Sequence, residues 1–219
     1  MAMSGDLVTI KNYLEKVLEA YSKGTFYEEV KRAKEEYFQR TGKIAEGSET
    51  FETQMENFLD WYLFDRPLSG SEISPIKLYL IEKLDNLDPD DQAIFQDLAK
   101  STHSIFEVLK VRESEIYLKD LFDGEKYVID ETELNKGFTK GDLFEGRLLK
   151  FKGSLVFGRA FVFHPKDVRS FILKQIKRIK YLDQKQRLKL LHRLAEMKLK
   201  MEQYNHISVT HIYCDDPVF

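Results

Sequence analysis

The chain reads as an α+β protein: an N-terminal helical layer, a small five-stranded antiparallel barrel-like sheet, and a C-terminal basic helical hairpin. Three observations predict this. Apolar residues recur at helical spacing through residues 1–103, and the period changes to alternation from Ser104. Helical spacing returns after His164-Pro165, in a block over 166–200 that holds twelve of the thirty-four Lys and Arg and only three acids, Asp167, Asp183 and Glu196. That block stands at +9 while the rest of the chain sums to −12.

The first helical stripe is Leu7, Ile10, Leu14, Val17, Leu18 and Tyr21, closed by Lys23-Gly24, a cation followed by a glycine stop. Thr25 with Glu28 makes a capping box for a second helix, whose apolar face is Val30, Ala33, Tyr37 and Phe38 and which ends at Thr41-Gly42. A third stripe, Phe51, Met55, Phe58, Leu59 and Tyr62, closes near Asp65-Arg66-Pro67, because a residue ahead of proline is driven out of helical geometry. Ser74-Pro75 and Asp88-Pro89 open two more helices, over 76–84 and 93–98. In each, a side-chain oxygen caps the first turn while proline occupies a position that needs no amide donor. Asp90 and Asp91 complement the positive end of the last dipole.

From Ser104, residues 105–111 and 116–121 alternate as strands, Asp123-Gly124 is a favoured two-residue hairpin signal, and 126–130 return. A glycine-containing loop over 135–141 leads to a second hairpin, 143–151 and 155–163, turning at Lys152-Gly153. Apolar residues on both alternating sets of these last strands predict that both faces are covered. His164-Pro165 then starts a helix with the stripe Val168, Phe171, Ile172, Ile176 and Ile179. Asp183 with Gln186 caps another, carrying Leu188, Leu191, Leu194, Ala195 and Met201, so a tight helical hairpin is expected. The alternation over 207–213 predicts one last strand. The divisions are therefore a helical region 1–103, a sheet 104–164, and a hairpin 165–205 with a tail 206–219, expected to form one unit.

With 219 residues, 42% hydrophobic and 32% charged, the chain is long enough to bury its own core. Its longest apolar runs, 78–81 and 160–163, are far shorter than the roughly 20 residues of a membrane span. Residues 1–11 lack a basic segment followed by an apolar one, so no secretory signal is read there. The single cysteine, Cys214, excludes an internal disulfide and a multi-cysteine zinc site. The expectation is a cytoplasmic protein with no membrane partner.

Catalytic and cofactor patterns are weak. His206, His211 and Cys214 with Asp215 and Asp216 offer metal-ligand types, but on a strand His211 and Cys214 point to opposite faces, so no metal is assigned. There is no Gly-x-Ser-x-Gly, no Walker pattern and no dinucleotide glycine signature, so neither an enzyme nor a cofactor is expected. Adjacent acids such as Glu28-Glu29, Glu35-Glu36 and Asp90-Asp91 diverge by about 100° on a helix, which suits solvated faces rather than acid–base pairs. Arg147 and Arg159 alternate with apolar residues and suit either a phosphate grip or ion pairs with acidic helices.

The basic block remains. Lys174, Lys177, Arg178 and Lys180 precede the helical turn, and Lys185, Arg187, Lys189 and Arg193 follow it, so one end of the hairpin presents a cluster of cations. These eight residues are the candidate anion- or partner-binding set. Their partner is either outside the molecule or the acidic region 1–103, which carries −8. Aromatic residues that stack bases are few here, Phe171, Tyr181 and Tyr204, and the chain as a whole is slightly acidic, which favours a protein partner over a nucleic acid or other phosphate-bearing ligand.

The segment 57–67, Asn-Phe-Leu-Asp-Trp-Tyr-Leu-Phe-Asp-Arg-Pro, with Ser104-Ile105-Phe106-Glu107-Val108 and Leu118-Lys119-Asp120-Leu121-Phe122-Asp123-Gly124, resembles an uncharacterised bacterial module sometimes found with SEC-C zinc motifs. The resemblance covers residues 51–130, about a third of the chain. It implies a bacterial cytoplasmic protein of unassigned activity. The cysteine cluster of the zinc motif is missing here, so the resemblance carries over neither zinc nor any site residue. Function is expected to be that of a non-catalytic protein-protein interaction module or adaptor; the alternative is nucleic-acid binding through 166–200.

Overall fold

The helical stripes of the N-terminal half become α1 (Gly5–Ala20), α2 (Tyr27–Thr41), α3 (Phe51–Phe64), α4 (Pro75–Lys83) and α5 (Pro89–Leu98) in a computed structural model that describes residues 5–43, 47, 50–130 and 137–216. The side chain of Leu7 and the first residues of the loop expected over 135–141 lie outside the described residues. Asp88 caps α5 as expected, its carboxylate accepting from the Asp91 amide at 2.8 Å. Ser74 does not: it precedes α4 without a side-chain cap bond, and its hydroxyl is buried with no partner among the described residues. The Thr25 capping box is also absent as read, because a 3-10 turn over Gly24–Phe26 delays α2 to Tyr27.

Alternation produces β1 (Thr102–Val111), β2 (Glu115–Asp120), β3 (Lys126–Asp130) and β4 (Leu143–Phe151). The expected fifth strand is split into β5 (Ser154–Phe157) and β6 (Val162–His164). Both pair antiparallel with β4, β5 opposite 148–151 and β6 opposite 143–145. The strand order is β3-β2-β1-β4-β5 with β6 on β4, so the fold is α+β around an antiparallel curled sheet. Lys152 and Gly153 both take positive φ, 48° and 84°, which gives the β4–β5 hairpin the two-residue turn whose twist matches its strands. The β2–β3 connection is longer than the Asp123-Gly124 signal suggested. Asp120, almost fully buried, organises it by accepting from the Ser104 hydroxyl and the Phe122 amide, both at 2.7 Å.

C-terminal to the sheet lie α6 (Arg169–Ile179), α7 (Gln184–Gln203) and α8 (Val209–Ile212). Asp183 caps α7 through the Gln186 amide at 3.0 Å. The last strand expected over 207–213 is not formed; α8 stands there instead. Only Ile212 and Tyr213 of this stretch are buried, so its alternation does not separate a core face from a solvent face.

The chain is organised as two compact units. One comprises Met1–Tyr37, Ala45–Thr102 and Arg147–Ala160; the other comprises Phe38–Ile44, His103–Gly146 and Phe161–Phe219. In the first, α4 packs against α1, α3 and α5 over a core including Leu14, Phe58, Tyr62, Ile76 and Phe95. The Tyr62 hydroxyl donates to the Tyr21 carbonyl at the end of α1. In the second, Ile105 and Leu143 on one sheet face meet Ile172, Ile176, Leu191, Leu194 and Ile212 from the helices. The opposite face carries Phe106 and Phe144, which pack with Phe138, Phe161 and Phe163. This double cover explains why both alternating sets of β4 are apolar.

Candidate partner-binding groove at the helical hairpin

Burial of Ile172, Ile176, Leu190, Leu191 and Leu194 fixes the rotation of α6 and α7, and the intervening lysines are consequently turned outward. The eight cations singled out in the sequence divide into two sets. Arg178 makes a two-pronged contact with Asp215, at 2.7 and 3.1 Å, and Lys174 reaches the same carboxylate at 3.3 Å. Arg187 grips Asp123 with both terminal nitrogens, at 3.0 and 2.7 Å, and lies 5.2 Å over the Phe122 ring. Arg193 donates to the Cys214 and Asp215 carbonyls. These four are held internally.

Electrostatics agree with that geometry. Hydrogen bonds from Arg178, then Gln175, hold the Asp215 carboxyl well below its ordinary range, and Asp215 in turn raises Arg178. The Asp123 hydrogen bond raises Arg187 above its usual value. Charge in both pairs is therefore already satisfied at contact.

The other four, Lys177, Lys180, Lys185 and Lys189, are exposed and have no carboxylate partner among the described residues. Lys177 and Lys180 stand on the rim of a groove of about 450 Å³ between α6 and the β2–β3 turn. Leu121, Phe122, Leu173 and Ile176 form its floor, and Lys119 of β2 adds a third cation to the rim. Tyr181, 91% exposed, also lines it, with the Lys180 ammonium 5.9 Å from its ring centre. Rim acid Asp123 is taken by Arg187, which leaves the lysine charges uncompensated.

Sequence reasoning did not find Lys119, nor that Asp123 and Asp215 are the internal counter-charges. Asp215 had a local signal in the acidic tail behind the basic block; Asp123 and Lys119 had none. Of the acids named in the helical region, Glu28 pairs with Lys31 and Asp91 with Lys16.

The remaining candidates resolve differently. Arg147 does not grip a phosphate from a surface strand: it is buried, donates to the Ser101 hydroxyl at 3.0 Å and to the Asp65 carboxylate, and lies 3.7 Å from Asp60. Its guanidinium also stacks 4.6 Å over Phe64. Arg159 stands in the field of Glu56, whose carboxyl burial raises. Of the tail residues, the Cys214 thiol donates to the His211 carbonyl at 3.2 Å and Asp215 is committed to α6. Among the described residues, no three His, Cys, Asp or Glu side chains gather as metal ligands. No described helix is long and apolar enough to cross a membrane.

Neither a curated protein nor a solved structure matches the chain. The pattern that does match runs from the middle of α1, through the whole sheet, to the last residue of α7, and so includes every residue of the groove. Over residues 11–203 the chain fits the family of unknown function DUF7986, and it belongs to that family.

Proposed function

We propose that the protein is a non-catalytic interaction module that docks another protein at the α6–α7 end of its second unit. The observation that carries this is the division of the basic block: half of its candidate cations are held internally, while Lys177, Lys180, Lys185 and Lys189 have no carboxylate partner among the described residues, and Lys177 and Lys180 line an apolar-floored groove. An uncompensated charge beside buried apolar surface gives both steering and anchoring, the two ingredients of a specific interface. A cytoplasmic location and kinship with the SEC-C-associated bacterial module belong to the same proposal.

A second reading, nucleic-acid binding, is favoured by Tyr181, whose ring is 91% exposed and offers a stacking face beside Lys180. The two separate in one experiment. Immobilised wild-type chain and a variant with Lys177, Lys180, Lys185 and Lys189 all changed to Ala are presented with lysate, with and without nuclease, over a salt series. Protein docking predicts a protein retained by the wild type, insensitive to nuclease and lost with the variant. Retention that vanishes with nuclease and falls steeply with salt supports the second reading. Equal retention by wild type and variant removes both.

A further inference from the structure

Resting on the docking proposal above, we infer that the groove between α6 and the β2–β3 turn takes an acidic peptide segment bearing a large apolar anchor side chain. The groove has two chemistries, and the occupant has to match both. Its rim carries Lys119, Lys177 and Lys180, none with an ion-pair partner among the described residues. Its floor is apolar: Phe122 and Ile176 are buried, and Leu121 and Leu173 half-buried. A floor of this kind inside a cationic rim accepts an aliphatic or aromatic side chain while carboxylates on either side of that anchor reach the lysines.

Competing occupants use only part of this. A phosphodiester strand would engage the lysines and Tyr181, but its charged backbone gains nothing from the apolar floor, and three rim cations correspond to a salt slope of only about −2 to −3. Successive bases need successive exposed rings, whereas of the two rings lining the groove Tyr181 is exposed and Phe122 is buried beneath Arg187. A free phosphate or phosphorylated side chain is gripped best by a guanidinium fork. The forks nearest the groove, Arg178 and Arg187, are closed on Asp215 and Asp123. The acidic amphipathic peptide alone uses floor and rim together.

The test uses the full chain and fluorescence anisotropy with three labelled probes of similar length: an acidic peptide containing one Leu and one Phe, the same peptide with both replaced by Ser, and an oligothymidylate. The first should bind at least about tenfold tighter than either other probe, as loss of a buried anchor commonly costs. Changing Lys177 and Lys180 together to Glu should weaken it by about tenfold or more, since the charges are reversed rather than removed. Lys119→Glu, in a strand on the opposite wall, should act in the same direction and guards against a local disturbance of α6. Circular dichroism checks that each variant is folded. Equal binding of the Ser-substituted peptide, tighter binding of the oligonucleotide, or no binding of the anchored peptide overturns the inference. If the anchored peptide fails while the lysate protein is still lost on lysine replacement, docking stands and this occupant falls; if that protein is kept by the lysine variant, docking itself falls.

Discussion

Asp215 binds Arg178 through two nitrogens, at 2.7 and 3.1 Å, across 37 positions of sequence. The contact joins the residue pair just past α8 to the outer face of α6, and it withdraws two cations, Arg178 and Lys174, from whatever the hairpin meets. Asp215→Asn would release both. Its expected effect is tighter binding of the anchored acidic peptide, by roughly two- to fivefold, with little change in melting temperature because the pair is exposed. Anisotropy titration of variant against wild type measures it; weaker binding would show that Asp215 shapes the site rather than masking it.

Arg147 sits in the first unit with a buried guanidinium held by Asp65, Ser101 and the Phe64 ring. Arg147→Met keeps much of the volume but leaves Asp65 and Asp60 without their counter-charge. Removing one partner of a buried pair costs about 3–5 kcal/mol. Urea denaturation should show a midpoint lowered correspondingly, and an unchanged midpoint would mean water already screens these carboxylates.

The same centre constrains Gly158. A Cβ there would stand 3.1 Å from both Asp60 Oδ2 and the Arg147 Cβ, and 3.2 Å from the Arg147 carbonyl oxygen. Main chain cannot yield as a flexible side chain would, so Gly158→Ala is expected to cost about 1–3 kcal/mol. The same substitution at Gly137, with nothing within 4 Å and no positive φ, serves as the control. Thermal melts of the two variants compare them, and equal melting temperatures would contradict the packing argument.

His164 of β6 is buried, and its Nδ1 lies 3.0 Å from the Tyr213 hydroxyl. Burial first, and then the charge of Lys198, lower its pKa from 6.5 to about 3. The folded state therefore refuses a proton that the unfolded chain accepts. Stability is unaffected by this group above pH 6.5 and falls as pH drops from there toward 3, by up to about 1.4 kcal/mol per unit. Glu29 acts in a lower window. Burial pushes its carboxyl up, but hydrogen bonds from Arg66 and Ser69 outweigh that and hold it at about 2, so its contribution is lost only below pH 4.5. Denaturation curves of wild type and His164→Gln should converge in slope above pH 6.5 and separate between 6.5 and 4.5. Identical pH profiles would show that His164 takes up its proton in the fold.

Local chemistry made much of this fold readable. Asp88 and Asp183 cap α5 and α7 because an N-cap is decided within three residues. Lys152-Gly153 turns the second hairpin because both residues accept positive φ. Misreadings arose where distant packing decides the outcome. The stretch over 207–213 alternates like a strand, yet the Tyr213 side chain is drawn to His164 and the backbone closes into α8 instead. The fifth strand is interrupted between Phe157 and Val162, and Gly158 in that gap has no room for a Cβ because Arg147 and Asp60 stand against it, which no neighbouring residue announces.

The candidate site shows the same division. That α6 and α7 would display lysines outward follows from the spacing of Ile172, Ile176, Leu191 and Leu194. Which cations stay uncompensated depends on Asp123 and Asp215, 64 and 37 positions from the arginines they hold. Lys119 was not legible at all, because only the β2–β3 turn brings it to the groove.

The most direct test compares two double variants that remove the same charge from α6 and its C-cap: Lys177→Ala with Lys180→Ala, and Lys174→Ala with Arg178→Ala. Affinity for the anchored acidic peptide should fall by about tenfold in the first and by less than about threefold in the second, because Asp215 already occupies the second pair. Equal losses in the two would mean that only the overall charge of the hairpin matters and that the groove is not where the partner docks.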